Sequence, residues 1–328
     1  MNNDKKITVA LIFGGRGYES EVSLSGRDFI LPILEKKYNC LPIFIDKAGR
    51  WIMENRQIFP AERGFITEEG ERIAADCAIP LLHGDFGEDG SVQGALETAR
   101  IAYIGCDTSA SAVCRDKFFV KRIATGLGIS TLPCTLALRS EGVDFAVRQA
   151  EGRIGYPLFV KPARLGSSVG VGAADNKAEL EAALGKAFKL CDRVIIEPRL
   201  TDKRELECGY FSAKSKEIFT YPAEVLIKGN YGYEEKYLKN DTRLSVRADL
   251  EAEVAERIRE YSRRLTRALG VRDISRIDYF LSGGELYLNE INTFPGFTSG
   301  SLYPRLIEAA GIPIGDALDM LIEQAVDR

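Results

Sequence analysis

The sequence predicts an α/β protein of two or three domains, and three observations support this. The chain has 328 residues, which is more than one ordinary domain usually contains. Strand-like and helix-like segments alternate through its first third. Apolar residues make up 45% of the chain, enough to fill several cores. We therefore expect the chain to begin with a parallel sheet that is covered by helices.

The elements of the first third follow from hydrophobic periodicity. Short apolar runs predict buried strands, and stretches with apolar residues three or four apart predict helices between and after them. The predicted strands span 7–13, 40–46 and 77–82, and the predicted helices span 23–36 and 92–102.

The same patterns continue in the rest of the chain. Helices are predicted at 117–128, 176–190 and 250–269, and Gly270 is a typical stop for the last of them. Strands are predicted at 156–161, 194–197, 276–281 and 285–291. The apolar faces of these elements are interpreted as core.

Charge, cysteine and histidine content exclude several classes of protein. The formal net charge is −4, so the chain lacks the basic field of a general nucleic-acid or membrane-surface binder. Its seven cysteines show no metal-ligand spacing, which favours buried free thiols in a reducing cytosol. Because His83 is the only histidine, a zinc site built from several histidines is excluded.

No segment predicts export or insertion into a membrane. The first apolar run is short, leads directly into Gly14 and Gly15, and lacks the cleavage region of a signal peptide. No other apolar run approaches the length of a membrane span. We therefore expect a cytoplasmic protein.

The two strands that span 276–281 and 285–291 predict a hairpin with an acidic face. Side chains alternate between the faces of a strand, so Arg276 and Asp278 share one face, as do Glu290 and Asn292. Carboxylate and amide oxygens suit Mg²⁺, and the nearby arginine could stabilise a developing negative charge. An exposed strand face with routine ion pairs is the alternative. The loop 293–301, rich in hydroxyls and backbone N–H groups, favours a site.

A second segment, 161–170, places a lysine at the end of an apolar strand before a loop rich in glycine and serine. Such a loop can donate backbone N–H groups to phosphates while the lysine adds positive charge. Because the lysine precedes the glycines, this is not a Walker A loop.

Two further segments follow predicted strands. Glycines at 14–17 allow a ligand to approach the backbone, and a helix that begins near Ser23 would direct its positive end toward an anion. The glycine spacing disagrees with a nicotinamide-binding fingerprint, although Asp46 could supply the acidic residue which that fingerprint requires. His83 ends the third strand, where parallel sheets place ligands. A purely structural histidine is the alternative.

Together these four segments resemble the D-alanine–D-alanine ligases of the ATP-grasp superfamily. The family pattern reads Gly-Gly-x-Ser-x-Glu-x-x-Val-Ser, then His-Gly-x-x-Gly-Glu-Asp-Gly, then Lys-Pro-x-x-x-Gly-Ser-Ser-x-Gly. It closes with Arg-x-Asp and Glu-x-Asn-Thr-x-Pro-Gly-x-Thr-x-x-Ser. The chain carries these motifs in this order over nearly its full length, and the order makes the joint match specific.

The resemblance implies a three-domain ATP-grasp architecture, α/β with α+β elements in the ATP-grasp part. The implied domains are a substrate-binding domain at 1–113, a central subdomain at 114–196 and a C-terminal subdomain at 197–328. ATP would lie between the last two and phosphorylate the carboxylate of one D-alanine. The amine of a second D-alanine would then displace the phosphate. The resemblance also suggests a homodimer.

It further implies roles for matching residues. Glu19, assisted by Ser167, would hold the first substrate's ammonium, and His83 would lie near its carboxylate. Arg276 and the N–H of Gly296 would form the oxyanion hole. Asp278, Glu290 and Asn292 would ligate two Mg²⁺ or Mn²⁺ ions. The residues implied to contact ATP are Lys117, Lys161, Ser168, Glu197, Leu200, Glu205 and Lys236.

Two features concern the lid and the acceptor. The resemblance implies a lid at 229–244, in which Tyr237 closes on Glu19 and Ser167 and Lys236 reaches the ATP γ-phosphate. Ser301 and Leu302 would hold the second substrate, and with Tyr237 they favour a dipeptide over D-alanyl-D-lactate. Residues 297–299 and 303–304 are similar to the D-alanyl-D-serine branch, so that product stays open.

The chain departs from the family pattern at two places. Arg16 and Gly17 replace the usual Thr-Ser, and Pro198 removes an N–H donor to adenine. Two other interpretations also remain: an inactive ATP-binding protein on this scaffold, and a different ATP-grasp carboxylate–amine ligase. The intact acidic set and Glu19, Ser167 and Tyr237 argue against them.

Overall fold

The computed structural model describes residues 6–226 and 243–328, and these residues form three β-sheets covered by helices. The first sheet has the strand order β6-β5-β4-β3-β2-β1-β7. Its strands are β1 (Thr8–Gly14), β2 (Asn39–Ile45), β3 (Trp51–Met53), β4 (Arg56–Ala61), β5 (Gly64–Thr67), β6 (Arg72–Ala74) and β7 (Cys77–Pro80).

The prediction of a parallel sheet is correct for part of this sheet only. Strand β1 pairs in parallel with β2 and β7, while β3 to β6 extend the sheet as an antiparallel meander. The meander was not predicted, because its strands are short and mix polar with apolar side chains.

Two helices follow strands of this sheet. They are α1 (Ser20–Leu34) and α2 (Ser91–Thr98). The second is shorter than the predicted 92–102, because Arg100 adopts a left-handed φ of 55° and ends the helical path. The chain then runs extended, and Tyr103 forms a β-bridge with Ala78.

The second sheet has the order β10-β9-β11-β8. Its apolar face packs on two helices whose buried residues include Val147, Leu180 and Leu184, and the predicted face of 176–190 is therefore correct. The elements are β8 (Thr135–Leu138), α5 (Val143–Arg153), β9 (Leu158–Pro162), β10 (Gly172–Ala174), α6 (Lys177–Leu190) and β11 (Arg193–Pro198).

In the third sheet the described strands have the order β15-β14-β12-β16-β17, with β13 also paired to β12. A hairpin of β16 and β17 forms one side of this sheet. The strands are β12 (Arg204–Ala213), β13 (Lys216–Phe219), β14 (Ala223–Leu226), β15 (Arg243–Ser245), β16 (Ile274–Ser282) and β17 (Glu285–Asn292).

Helices on this sheet come from both the middle and the end of the chain. Val120 and Ile258 lie in one core with Ile277 and Leu288 of the hairpin. The helices in that core are α3 (Thr108–Arg115), α4 (Lys117–Gly126) and α7 (Ala252–Leu269), and α7 ends at Gly270 with a left-handed φ of 68°.

The C-terminal helices connect the first and third sheets. Leu11 of β1 and Ile30 of α1 lie in one core with Tyr303 and Ile322. These helices are α8 (Leu302–Ala309) and α9 (Ile314–Val326). This packing fixes the N-terminal sheet against the C-terminal part of the chain, while the exact domain bounds at 113 and 196 stay predictions.

All seven cysteines are free; four are buried, and Cys40, Cys134 and Cys191 are partly exposed. Across residues 6–226 and 243–328, none of the helices is long and apolar enough to cross a membrane.

Candidate active site

A cleft of about 620 Å³ opens between the second and third sheets. Its walls come from the loop after β9, the end of β11, the start of β12 and the hairpin of β16 and β17. It is lined by all the residues that were predicted to contact ATP and are described, namely Lys117, Lys161, Ser168, Glu197, Leu200 and Glu205. Lys236 and Tyr237 lie outside the described residues.

The hairpin brings together the two pairs of side chains that were predicted to share a face, and a β-bulge next to Asp278 and Tyr279 sets their register. Arg276 lies opposite Asn292, and Asp278 lies opposite Glu290. The Arg276 guanidinium donates to both oxygens of Asp278, at 2.8 and 2.7 Å, and Asn292 Nδ2 donates to Asp278 Oδ2 at 3.1 Å. These polar groups therefore form one continuous surface at the edge of the cleft.

Glu207 of β12 completes this surface, although no pattern in the sequence predicted it. Its Oε2 lies 2.8 Å from Arg276 Nε. Since β12 pairs with β16 so that Glu207 lies opposite Asp278, the neighbouring strand supplies a second carboxylate for the same arginine. A strand partner of this kind has no local signal in the sequence.

The donor set at the hairpin fits a hard cation that also binds substrate phosphates. Asp278 and Glu290 offer carboxylate oxygens and Asn292 an amide oxygen, all on one face. Over the described ranges no three His, Cys, Asp or Glu side chains converge into a complete metal cage. Mg²⁺ needs no such cage, because it usually combines one or two carboxylates with waters and substrate phosphates.

Lys117 reaches the same surface from the start of α4. Its Nζ lies 3.0 Å from Glu290 Oε2 and donates to the carbonyl of Leu165 at 2.8 Å. Asp116 caps α4 through the N–H of Phe118 and forms ion pairs with Arg164 and Arg193. This buried carboxylate thus fixes the helix end from which Lys117 points into the cleft.

Glu197, at the end of β11, is held by two lysines. Its oxygens lie 2.5 Å from Lys121 Nζ and 2.7 Å from Lys161 Nζ. Burial opposes ionisation, but the two ammonium groups outweigh it and lower the pKa of Glu197 to about 2. The carboxylate therefore stays charged deep in the cleft, and its predicted contact with the adenine amine remains a prediction.

Lys121 was missed at the sequence level. It is nearly fully buried on α4, one helical turn after Lys117. Residues four apart share a helix face, so the sequence does indicate that Lys117 and Lys121 lie on one side of α4. It does not indicate the acidic partner of Lys121, because Glu197 lies on a strand far along the chain.

At the far end of the cleft, Glu205 and its neighbours form a partly charged wall. Lys203 Nζ lies 2.8 Å from Glu205 Oε1 and 4.2 Å from the centre of the Phe280 ring. Pro198 and Leu200 lie beside them. A ribose or base at this end would meet apolar surface together with one carboxylate.

The loop after β9 places two serines in unusual backbone conformations. Ser167 and Ser168 have left-handed φ values of 51° and 58°, which cost energy for residues other than glycine and occur often at functional sites. In this conformation Ser167 Oγ donates a hydrogen bond to Glu19. This hydrogen bond joins the loop after β9 to the start of α1.

Glu19 lies directly before α1 and is buried. Ser23 fixes this helix start, because its hydroxyl accepts from the N–H of Gly14 at 2.8 Å and donates to the carbonyl of Leu81. A Cβ at Gly84 would lie 2.4 Å from Glu19 Oε2, and Gly84 has a left-handed φ of 73°, so another residue here would be strained and would displace this carboxylate.

His83 follows β7 and is buried beside the same region. Its Nδ1 lies 3.3 Å from the carbonyl of Phe294. Burial lowers the pKa of His83, so the ring is neutral near pH 7. Within the described part of the chain Nε2 has no partner, which leaves one ring nitrogen for a substrate.

Arg115 was not predicted as a site residue, but it forms two ion pairs in the region of Glu19 and His83. Its side chain is 9% exposed and binds Glu88 at 2.9 Å and Asp85 at 3.1 Å. Burial raises the pKa of Glu88, and the guanidinium of Arg115 opposes this effect by favouring the charged carboxylate.

The predicted acceptor residues lie where the loop 293–301 meets α8. Ser301 precedes the helix, and its Oγ accepts from the N–H of Thr298 at 3.1 Å. Ser301 Oγ is also 3.1 Å from the position of a Cβ at Gly296, so the predicted oxyanion donor and acceptor residue are neighbours. Leu302 is buried.

Arg16, at the glycine-rich loop after β1, lies over the Phe86 ring, with its guanidinium carbon 4.5 Å from the ring centre.

Comparisons with known proteins agree with this geometry. The family model described as D-ala D-ala ligase C-terminus matches residues 123–323, and the one described as D-ala D-ala ligase N-terminus matches residues 60–106. A protein named D-alanine–D-alanine ligase from Solibacter usitatus is 40% identical, over 98% of this chain and 96% of that protein. One of the same name from Deinococcus radiodurans is 38% identical, over 98% and 99%.

Solved structures match over the same length. D-alanyl-alanine synthetase A from Vibrio cholerae superposes with a TM-score of 0.89 at 31% identity, covering 98% of this chain and 99% of that one. The VanG D-Ala:D-Ser ligase from Enterococcus faecalis superposes with a TM-score of 0.88 at 32% identity, covering 98% and 100%. With two family models and full-length relatives in agreement, the chain belongs to the D-alanine–D-alanine ligase family and has its ATP-grasp architecture.

Proposed function

We propose that this protein joins two molecules of D-alanine with ATP, giving D-alanyl-D-alanine, ADP and phosphate for peptidoglycan precursors. The observation that carries this proposal is the hydrogen bond between Ser167 and Glu19. Ser167 lines the cleft together with Lys117, Lys161 and Glu290, so this bond supports a role for the Glu19 carboxylate in binding an amino acid beside the cleft. Family membership supplies the reaction class.

In this proposal the chain's own groups orient both substrates. Glu19 receives the ammonium of the first D-alanine, and His83 lies near its carboxylate. Lys117 and Lys161 contact the phosphates of ATP, and Glu205 receives the ribose hydroxyls. Positioning and charge neutralisation account for most of the catalysis of phosphoryl transfer.

The second half of the reaction uses the loop before α8. The carboxylate of the first D-alanine attacks the γ-phosphorus and ADP leaves, so an acylphosphate forms. The amine of the second D-alanine then attacks the carbonyl carbon, and phosphate leaves after the tetrahedral intermediate collapses. Arg276 and the N–H of Gly296 stabilise the developing oxyanion, while Ser301 and Leu302 hold the second substrate.

We propose that Asp278, Glu290 and Asn292 hold two Mg²⁺ or Mn²⁺ ions with the phosphates of ATP. Such ions supply charge neutralisation at the transferring phosphoryl group. Arg276 lies 2.7 Å from Asp278 and Lys117 lies 3.0 Å from Glu290, so positive side chains also adjoin these carboxylates. Lys236 and Tyr237 remain predicted lid residues.

The decisive experiment measures phosphate release from ATP with D-alanine, with L-alanine and without an amino acid. We expect release with D-alanine and magnesium only, together with a dipeptide detected by mass spectrometry. Equal release with L-alanine would contradict the assigned stereochemistry, and no release with any amino acid would support an inactive ATP-binding protein.

D-serine is the second candidate acceptor, because the VanG D-Ala:D-Ser ligase superposes on this chain over 98% of its length. Adding D-serine to D-alanine separates the two products. We expect D-alanyl-D-alanine to predominate; a mixture that yields mainly D-alanyl-D-serine would reassign the acceptor. We also propose a cytoplasmic homodimer, which light scattering in solution and cell fractionation would test.

A further inference from the structure

Arg115 lies next to Glu19, the residue that is proposed to bind the first substrate. The position of a Cβ at Gly166 is 3.3 Å from Arg115 Nη1 and 3.6 Å from Glu19 Oε2. The guanidinium and the carboxylate are therefore neighbours, and both lie next to the strained serine loop. They are contributed by the end of α3 and the start of α1.

The charges around Arg115 are mostly negative. Glu88 lies 2.9 Å from Nη1 and Asp85 lies 3.1 Å from Nη2, and Glu19 adds a third carboxylate nearby. The guanidinium of Arg115 is thus the shared positive charge of a cluster of three carboxylates. Glu88 is nearly as buried as Arg115, with 11% of its side chain exposed against 9%.

Burial opposes the charged form of Glu88, and Arg115 is the cation that favours it. While the ion pair exists, the guanidinium of Arg115 compensates the charge of Glu88. Without it, Glu88 and Asp85 lack their cationic partner, and a substrate ammonium that enters the same space can take the place of the guanidinium.

Two observations place Arg115 at a ligand site and not only within a structural ion pair. A small cavity is lined by Arg115 and Glu88 together with Lys117, Glu290 and Asn292, which belong to the proposed phosphate and metal site. In addition, Arg115 Nε is buried and has no hydrogen-bond partner among the residues that the structure describes.

We propose that Arg115 is a positioning residue for the first amino-acid substrate. By binding Glu88 and Asp85 it leaves Glu19 as the carboxylate that receives the substrate's ammonium. This inference rests on the proposed function, because it assigns Arg115 a part in binding the substrate of that reaction.

The test compares Arg115→Met, Arg115→Lys and Glu88→Gln/Arg115→Met with the unsubstituted protein. We expect Arg115→Met to raise the KM of the first D-alanine about tenfold, because the loss of one charge-assisted interaction weakens binding by about this factor. We expect kcat to change less than about threefold. The double variant removes the competing charge with its partner, so its KM should return to within about threefold of the original value. Arg115→Lys should recover part of the effect.

Arg122→Met is the matched control, because Arg122 is an exposed arginine on the adjacent helix α4 and should leave both constants unchanged. Calorimetric titration of D-alanine in the presence of ADP measures binding independently of turnover. An Arg115→Met protein with unchanged KM and unchanged D-alanine affinity would overturn the inference, as would a double variant no better than the single one.

The same titration separates this inference from the proposed function. If the unsubstituted protein binds D-alanine but releases no phosphate, the reaction is wrong and the affinity of Arg115→Met still decides the inference. If the unsubstituted protein does not bind D-alanine, both are overturned.

Discussion

Ser167 donates a hydrogen bond to Glu19 across 148 residues of sequence. It joins the loop after β9 to the start of α1, and both residues are buried. The contact is charge-assisted, because a hydroxyl donates to a carboxylate.

Replacing Ser167 with alanine should raise the KM of the first D-alanine about tenfold, because a hydrogen bond to a charged group contributes about 1.5–3 kcal/mol. Steady-state kinetics at saturating ATP measure this change. Ser168→Ala is the matched comparison, since Ser168 shares the left-handed conformation but is predicted to contact ATP. Equal increases for both variants would point to backbone strain and not to the bond with Glu19.

Replacing Glu290 with glutamine should reduce kcat by more than about a hundredfold while leaving the fold intact. Even indirect partners of a metal ligand change affinity by about 10–100-fold, and the amide also removes the charge facing Lys117. Phosphate release measures the loss, and circular dichroism verifies the fold. Glu285→Gln, an exposed change on the same strand, should behave as the original protein. Normal turnover by Glu290→Gln would refute the proposed metal site.

Replacing Lys121 with methionine should lower the free energy of unfolding by about 3 kcal/mol, because breaking a buried ion pair leaves part of a buried charge uncompensated. Glu197 would keep only Lys161 as a partner. Urea denaturation measures the change. Lys189→Met, at an exposed position of α6, should alter stability by less than about 0.5 kcal/mol. If Lys121→Met lowers the free energy of unfolding no more than this control does, Lys161 alone compensates the charge of Glu197.

The stability contributed by the Lys121–Glu197 pair should depend on pH. Because the pKa of Glu197 falls from an ordinary 4.5 to about 2 in the folded protein, the contribution is complete above pH 4.5 and is lost as the pH falls toward 2. The difference in melting temperature between the original protein and Lys121→Met should therefore shrink between about pH 5 and pH 3. A difference that stays constant over this range would contradict the ionised pair.

Local patterns predicted the two strands of the hairpin of β16 and β17, but not their full register. Strand alternation requires that Arg276 and Asp278 share a face and that Glu290 and Asn292 share a face, while a β-bulge next to Asp278 and Tyr279 is what places the second pair opposite the first. Both relationships are present in the structure. The helix at 177–190 was equally clear, because its apolar residues repeat at helical spacing.

Other features had no such local signal. The meander of β3 to β6 consists of strands of three to six residues, which are too short for a reliable period. Arg115, Lys121 and Glu207 sit on ordinary elements and gain their importance from partners on other elements. The residues predicted as a lid, Lys236 and Tyr237, lie outside the described part of the chain.

By itself the sequence determined the chemistry available to this protein. It determined the order of the motifs, the polar residues that share a face within each strand of the hairpin and the glycine- and serine-rich loop, because these depend on residue type and on spacing along one segment. The tertiary structure alone decided which charges meet: Lys121 and Lys161 at Glu197, Arg115 between Asp85 and Glu88, and Ser167 at Glu19. Such pairings depend on how separate elements pack. Packing is driven by the burial of apolar surface, which is non-directional, so the sequence of one element does not show which polar groups it will meet.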